Sequence, residues 1–284
     1  MNKGFIMVIA AAVLWGTTGT SQYFAPGGIS PALIGGLRIL VGGAVLFTYA
    51  LIRKQYKSIQ LILNKYYFTG FIGVALYQLS FFYGVKMGGV AVGTMVGIGS
   101  SPIFAGIILW LFYGDRVGKN WIIATLLGLL GLFFITFLKG GYVKNSLVGI
   151  LLCLLAGLSY VIYSIASKEL MKSHSPDAVM GVIFLSGALL LSPFLFSADI
   201  FQIFSMKGLL VVGHLGVFAT AVAYLLFGRG LKIIKISDAS TLSLAEPLTA
   251  TFLGIFLIGE ILSITTIVGI FLIFLSLIII STSE

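Results

Sequence analysis

The sequence predicts an all-α polytopic membrane protein: ten transmembrane helices in two five-helix repeats of inverted topology, with both termini cytoplasmic. Three observations carry that prediction. The 284 residues are 59% hydrophobic and only 9% charged, where a soluble domain carries about 25% charge to build a polar shell. Apolar residues run in blocks of about 20, the length that crosses a bilayer's hydrocarbon core. The chain also matches itself when shifted by 145 residues.

Taken in order, the blocks place helices at about 5–22, 31–52, 66–85, 90–112, 120–138, 147–167, 177–196, 208–228, 238–259 and 263–281. Residues 3–14 have the basic start and apolar core of a signal peptide. The apolar character continues through Trp15 without a small-x-small cleavage site, so the segment reads as the first span. Ser30-Pro31 and Ser175-Pro176 are N-cap and first-turn signals for the second and seventh helices. Gly114-Asp115 and Gly259-Glu260 punctuate the ends of the fourth and ninth. Ten spans leave only short loops, and the one cysteine, Cys153, has no disulfide partner in the chain.

Lys and Arg in the loops set the orientation. With the N-terminus inside, twelve fall on the inner side: Lys3, Arg53, Lys54, Lys57, Lys65, Arg116, Lys119, Lys168, Lys172, Arg229, Lys232 and Lys235. Four fall outside, Lys86, Lys139, Lys144 and Lys207, and Arg38 alone lies within a span. The net charge of +9 is thus scattered along loops, which argues for a lipid bilayer partner and against nucleic acid.

The 145-residue shift brings Gly4 onto Gly149, Trp15 onto Tyr160, Ser30-Pro31 onto Ser175-Pro176, Gly42 onto Gly187, Pro102 onto Pro247 and Gly114-Asp115 onto Gly259-Glu260. One residue of slip adds Gly84-Val85-Lys86 on Gly230-Leu231-Lys232. The expected units are therefore 1–141 and 142–284. Each holds an odd number of helices, so the second enters the membrane upside down. Inverted repeats belong to secondary transporters, which expose a midplane site alternately to each side. The fourth helix carries small residues four apart at Gly89, Gly93, Gly97, Ser101 and Ala105. The ninth does so at Ser237, Thr241, Ala245 and Thr249. Such stripes let helices approach closely, and the midspan Pro102 and Pro247 predict kinks that bend during gating.

Trp15-Gly16, Arg38, Glu246-Pro247 and Gly259-Glu260, in this order and spacing, resemble the ten-helix EamA branch of the drug/metabolite transporter superfamily, over the whole chain. The resemblance implies a central cavity lined by the first, third, fourth, sixth, eighth and ninth helices. It also implies multi-pass residence in the bacterial cytoplasmic membrane and transport of small metabolites, often amino acids or amines, frequently outward. Ser101-Pro102 stands where the second half has Glu246-Pro247, so charge is asymmetric between the halves.

Two charges lie deep in spans, where insertion costs about 2.5–3.5 kcal/mol. Glu246 sits about 12 Å from the inner end of its helix and Arg38 about 10 Å from the outer end of its own. Glu246 either exchanges a proton and holds a substrate ammonium, or pairs with Arg38. Arg38 is expected to snorkel toward the outer interface; facing a cavity, it would hold a substrate carboxylate. His214, Tyr77, Gln78, Trp15, Tyr160, Tyr163 and Ser101 complete the candidate substrate-binding or coupling set.

No Gly-Lys-Ser/Thr phosphate loop, metal motif or nucleophile elbow is present, so no cofactor, metal or catalytic residue is expected. The expected function is secondary transport of small organic metabolites, amino acids favoured, with protons a candidate coupling ion. The alternative is a carrier of amines, quaternary ammonium compounds or lipophilic drugs. A monomer suffices, and a homodimer is compatible.

Overall fold

A computed structural model of the protein describes residues 2–27, 29–55, 64–89, 93–136, 146–196 and 200–282. Lys57, Lys139 and Lys144, positions 90–92 and 137–138, and the 141/142 boundary lie outside them. The described residues form helices and short connections, with no strand among them.

Ten helices are long and apolar enough to cross a membrane. They are α1 (Lys3–Tyr23), α2 (Pro31–Ile52), α3 (Lys65–Gly88), α4 (Gly93–Tyr113), α5 (Lys119–Thr136), α6 (Leu147–Leu170), α7 (Pro176–Leu195), α8 (Met206–Ile233), α9 (Ile236–Ile258) and α10 (Ile264–Thr282). The caps follow the sequence signals. Leu33 N–H donates to Ser30 Oγ at 3.2 Å and Ala178 N–H to Ser175 Oγ at 3.3 Å. Each satisfies one donor that a helix start leaves open. Gly114 and Gly259 end α4 and α9 at φ +68° and +80°, a left-handed backbone that glycine adopts without a Cβ clash.

Four spans are not uniform, α7 tightening to a 3-10 helix over Ser192–Phe196. Wide π turns occupy Gly93–Ile98 in α4, His214–Val222 in α8 and Gly254–Ile258 in α9. The helical pattern is interrupted by a turn at Gly99 in α4 and at Ser243–Leu244 in α9. Pro102 and Pro247 are each the third residue of the α-helical stretch that follows, Ser100–Tyr113 and Ala245–Leu253. The interruptions thus lie three to four residues before Pro102 and Pro247, on the side where a proline leaves a carbonyl without its helical donor. The carbonyls four residues back find other donors: Ser101 Oγ–H donates to Ile98 O at 2.8 Å and Glu246 N–H to Ser243 O at 2.9 Å.

The helices pack in matched pairs. α3 lies on α6 as α1 lies on α8; α2 meets α8 as α7 meets α3; α2 packs on α7 and α5 on α10. Glycines set the separations. A Cβ on Gly84 would stand 3.2 Å from Gly149 O, and one on Gly230 would stand 2.8 Å from Gly4 O. At the α5–α10 seam the closeness is mutual: a Cβ on Gly131 or Gly269 would fall 2.6 Å from the other's carbonyl oxygen.

A charged cluster ties one end of the bundle. Arg229 on α8 donates from Nε to Asp177 Oδ1 at 2.9 Å, and from Nη2 to Asp177 Oδ2 at 2.8 Å and to the Tyr49 hydroxyl at 3.1 Å. This bidentate fork joins α8 to the start of α7 and the end of α2. Nearby, Lys168 Nζ donates to the Ile234 carbonyl oxygen and links α6 to the end of α8.

Candidate functional site

A small cavity lies where α1, α2, α3, α4, α6, α8 and α9 meet. The volume open to the centre of a water-sized sphere is about 40 Å³, room for about three or four waters at roughly 10–15 Å³ each. Its wall joins residues that span most of the chain, from Trp15 to Glu246. A larger, open depression of about 570 Å³ lies among helix ends. Its Asp115, Arg116, Lys119 and Lys235 are exposed, so buried polar groups converge in the central cavity instead.

Arg38 faces the cavity and is only 6% exposed, which corrects the expectation of snorkelling. Its Nε donates to Thr220 Oγ1 at 3.2 Å. Thr220 in turn donates to Leu215 O at 2.8 Å, five residues back, because the π turn of α8 widens that spacing. The guanidinium makes no other hydrogen bond with a described residue, leaving its terminal nitrogens available. A buried arginine so held is a fixed fork for a planar anion.

Glu246, half-buried, lines the same cavity from the first turn of the second stretch of α9. Among the described residues its carboxylate forms neither an ion pair with Arg38 nor a hydrogen bond. One cation and one anion therefore share a small space without neutralising each other directly. Ser101 holds the matching place on α4, its hydroxyl engaged by the Ile98 carbonyl.

Aromatic rings close much of the rest. Trp15 meets Tyr160 edge-on, centroids 6.5 Å apart, and Tyr224 at 5.0 Å. Tyr77 stacks on Phe81 at 5.7 Å. The Tyr160 hydroxyl and Ser243 Oγ share a 2.9 Å hydrogen bond, tying α6 to the break in α9. Gln78 is 2% exposed and also lines the cavity.

Two expected site residues fall elsewhere. Tyr163 is buried behind the wall, its hydroxyl 3.3 Å from that of Tyr224. His214 Nε2 lies 2.8 Å from Thr17 Oγ1, joining α8 to α1 away from the cavity. Residues that sequence reasoning missed are Thr18, Phe81, Phe82, Gly97, Ile98, Thr220, Tyr224 and Ser243. The repeat register held a signal for two: Tyr224 lies 146 residues after Gln78, and Thr18 lies 145 before Tyr163. Thr220 is set by tertiary contact alone. Among the described residues no three His, Cys, Asp or Glu side chains gather as metal ligands would.

The chain matches the model of the EamA-like transporter family twice, over residues 2–137 and 147–282. It is 40% identical to uncharacterized transporter YwfM of Bacillus subtilis (strain 168), over 98% of this chain and 93% of that one. It is 30% identical to an uncharacterized transporter of Archaeoglobus fulgidus, over 95% and 93%. A solved crystal structure superposes with a TM-score of 0.84, covering 99% of this chain and 96% of its own; at 20% identity, that likeness is one of fold. The ten apolar helices and these relatives make the molecule a multi-pass membrane protein. By family model, length of match and relatives alike, the chain belongs to the EamA-like transporter family.

Proposed function

We propose that the protein is a secondary active transporter that exports small organic metabolites, amino acids foremost, across a bacterial cytoplasmic membrane. Alternating access of two five-helix halves, both termini cytoplasmic, would expose the central cavity to each side in turn. One observation carries the substrate class: Arg38 and Glu246 line the same cavity and do not pair. Uncompensated charges in a low-dielectric interior are costly, and a zwitterion supplies both missing partners at once, its carboxylate for Arg38 and its ammonium for Glu246. The cavity is small as well, well below the roughly 300–1,000 Å³ of a drug-sized pocket. The breaks in α4 and α9 lie beside it and are the natural points of bending. Among the described residues Glu246 is the one acid on the wall, and so the group through which a proton gradient would couple.

The aromatic wall of Trp15, Tyr77, Tyr160 and Tyr224 favours a second reading, in which rings and Glu246 together hold an amine or quaternary ammonium ion. Counterflow in proteoliposomes separates the two. Vesicles loaded with unlabelled amino acid are expected to accumulate labelled amino acid, with free amines competing weakly. Exchange of amines alone would install the second reading, and no exchange of either class under any proton gradient would overturn both.

A further inference from the structure

Four polar atoms on the cavity wall have no partner. Trp15 Nε1, Thr18 Oγ1 and both amide atoms of Gln78 are shut off from the surroundings and meet no hydrogen-bonding group among the described residues. Trp15 and Gln78 are 5% and 2% exposed, and all three side chains line the same cavity of about 40 Å³. Buried polar groups in folded proteins almost always have partners. Four orphans around one space mark something that enters it.

The orphans also say what kind of group enters. Trp15 offers an N–H donor only, Gln78 two donors and one carbonyl acceptor, and Thr18 a hydroxyl that does either. Exchanging the oxygen and nitrogen of the Gln78 amide leaves this inventory unchanged. A carboxylate would satisfy the donors and leave the Gln78 carbonyl unmet; an ammonium would do the reverse. A hydroxyl or a carboxamide both gives and takes, and answers the whole set. Arg38 and Glu246 bond none of these atoms, so the charged ends of a solute have separate partners.

We propose that Trp15, Thr18 and Gln78 form a specificity-determining cluster that reads a neutral hydroxyl or carboxamide on the transported solute. The site then takes small polar zwitterions over aliphatic isosteres. This rests on the zwitterion reading above and adds the identity of the side-chain group. The physical reason is asymmetric: an isostere without the polar group leaves buried donors and acceptors unpaired, which sites of this kind reject strongly.

The test uses matched pairs with the full-length protein in nanodiscs: L-threonine against L-valine, and L-asparagine against L-leucine, with dissociation constants from ligand-dependent thermal shifts. In the wild type the polar member of each pair is expected to bind about tenfold tighter or more. Gln78→Met, an apolar near-isostere, is expected to cut that ratio to below about threefold, and Thr18→Val to reduce it less. Arg38→Met should weaken all four ligands by a common factor and leave the ratios intact. Equal affinities within both wild-type pairs, or a preference that survives both Gln78→Met and Thr18→Val, would overturn the cluster while leaving the zwitterion site standing. Binding of none of the four, with amines binding, overturns the zwitterion reading itself. Should Gln78→Met fail to fold, the wild-type ratios and Thr18→Val still decide.

Discussion

Residues 145 or 146 apart line the cavity in pairs, and the members of each pair differ in chemistry: Trp15 and Tyr160, Gln78 and Tyr224, Ile98 and Ser243, Ser101 and Glu246. Arg38 corresponds in the same register to Ile183, which is fully buried. At the glycine contacts away from the cavity the pairs stay alike. Gly84 against Gly149 repeats as Gly230 against Gly4, with a Cβ excluded at each contact. The difference teaches what constrains each surface. Where backbone meets backbone, an added methyl must collide. Where side chains line the cavity, either half can change alone, and here the cation comes from one half and the anion from the other. The clamp at the bundle end is also one-sided, since Ala32 and Tyr83 stand in register with Asp177 and Arg229.

The largest test of that comparison moves the acid. Glu246→Gln is expected to lower amino-acid transport about 10- to 100-fold, from a charge-assisted hydrogen bond of about 1.5–3 kcal/mol. Adding Ser101→Glu is expected not to restore it, because Ser101 already serves the Ile98 carbonyl. Recovery of proteoliposome exchange by the double variant would show the halves to be interchangeable. Arg38→Met comes next, with at least about a tenfold loss of zwitterion affinity in thermal shifts. Its unliganded stability should barely change, since an apolar replacement also removes a buried charge.

Gly16→Ala and Gly19→Ala sharpen the contrast between packed and free positions on one helix. A Cβ on Gly16 would stand 2.6 Å from Glu246 O, while nothing lies within 4 Å of one on Gly19. The first should lose about 1–3 kcal/mol of unfolding free energy by overpacking, and the second should be neutral or slightly more stable. The last two tests concern ion pairs. Asp177→Asn, opposite an Arg229 side chain that is 36% exposed, should cost about 1–3 kcal/mol, between the ranges for exposed and buried pairs. Lys172→Gln removes the exposed bridge to Glu169 and should leave the melting temperature unchanged.

Ten spans were legible because apolar length is a one-dimensional signal. Residues 31–52 coincide with α2, and the other described ends fall within a few residues, α8 running longest past its expected end. Facing was not legible. In lipid both the buried and the outer side of a helix are apolar, so nothing along the chain separates Tyr77 on the cavity from Tyr163 behind it. Arg38 reads as a snorkelling residue until Thr220, 182 positions away, gives it a partner. His214 likewise finds its partner, Thr17, 197 positions away. The π turns in α4, α8 and α9 leave no compositional mark, although the one in α8 aims Thr220.

The α5–α10 seam carries a last consequence. There Gly131 and Gly269 face each other backbone to backbone, with the Ile135 and Ile273 side chains packed beside the contact. Backbones this close, keyed by two isoleucines, cannot part without breaking their packing, so in an alternating-access cycle this line would serve as the pivot and not as a gate. Spectroscopic rulers fixed across it should read a constant separation through the whole cycle, while those spanning the ends of α1 and α6 lengthen and shorten out of phase.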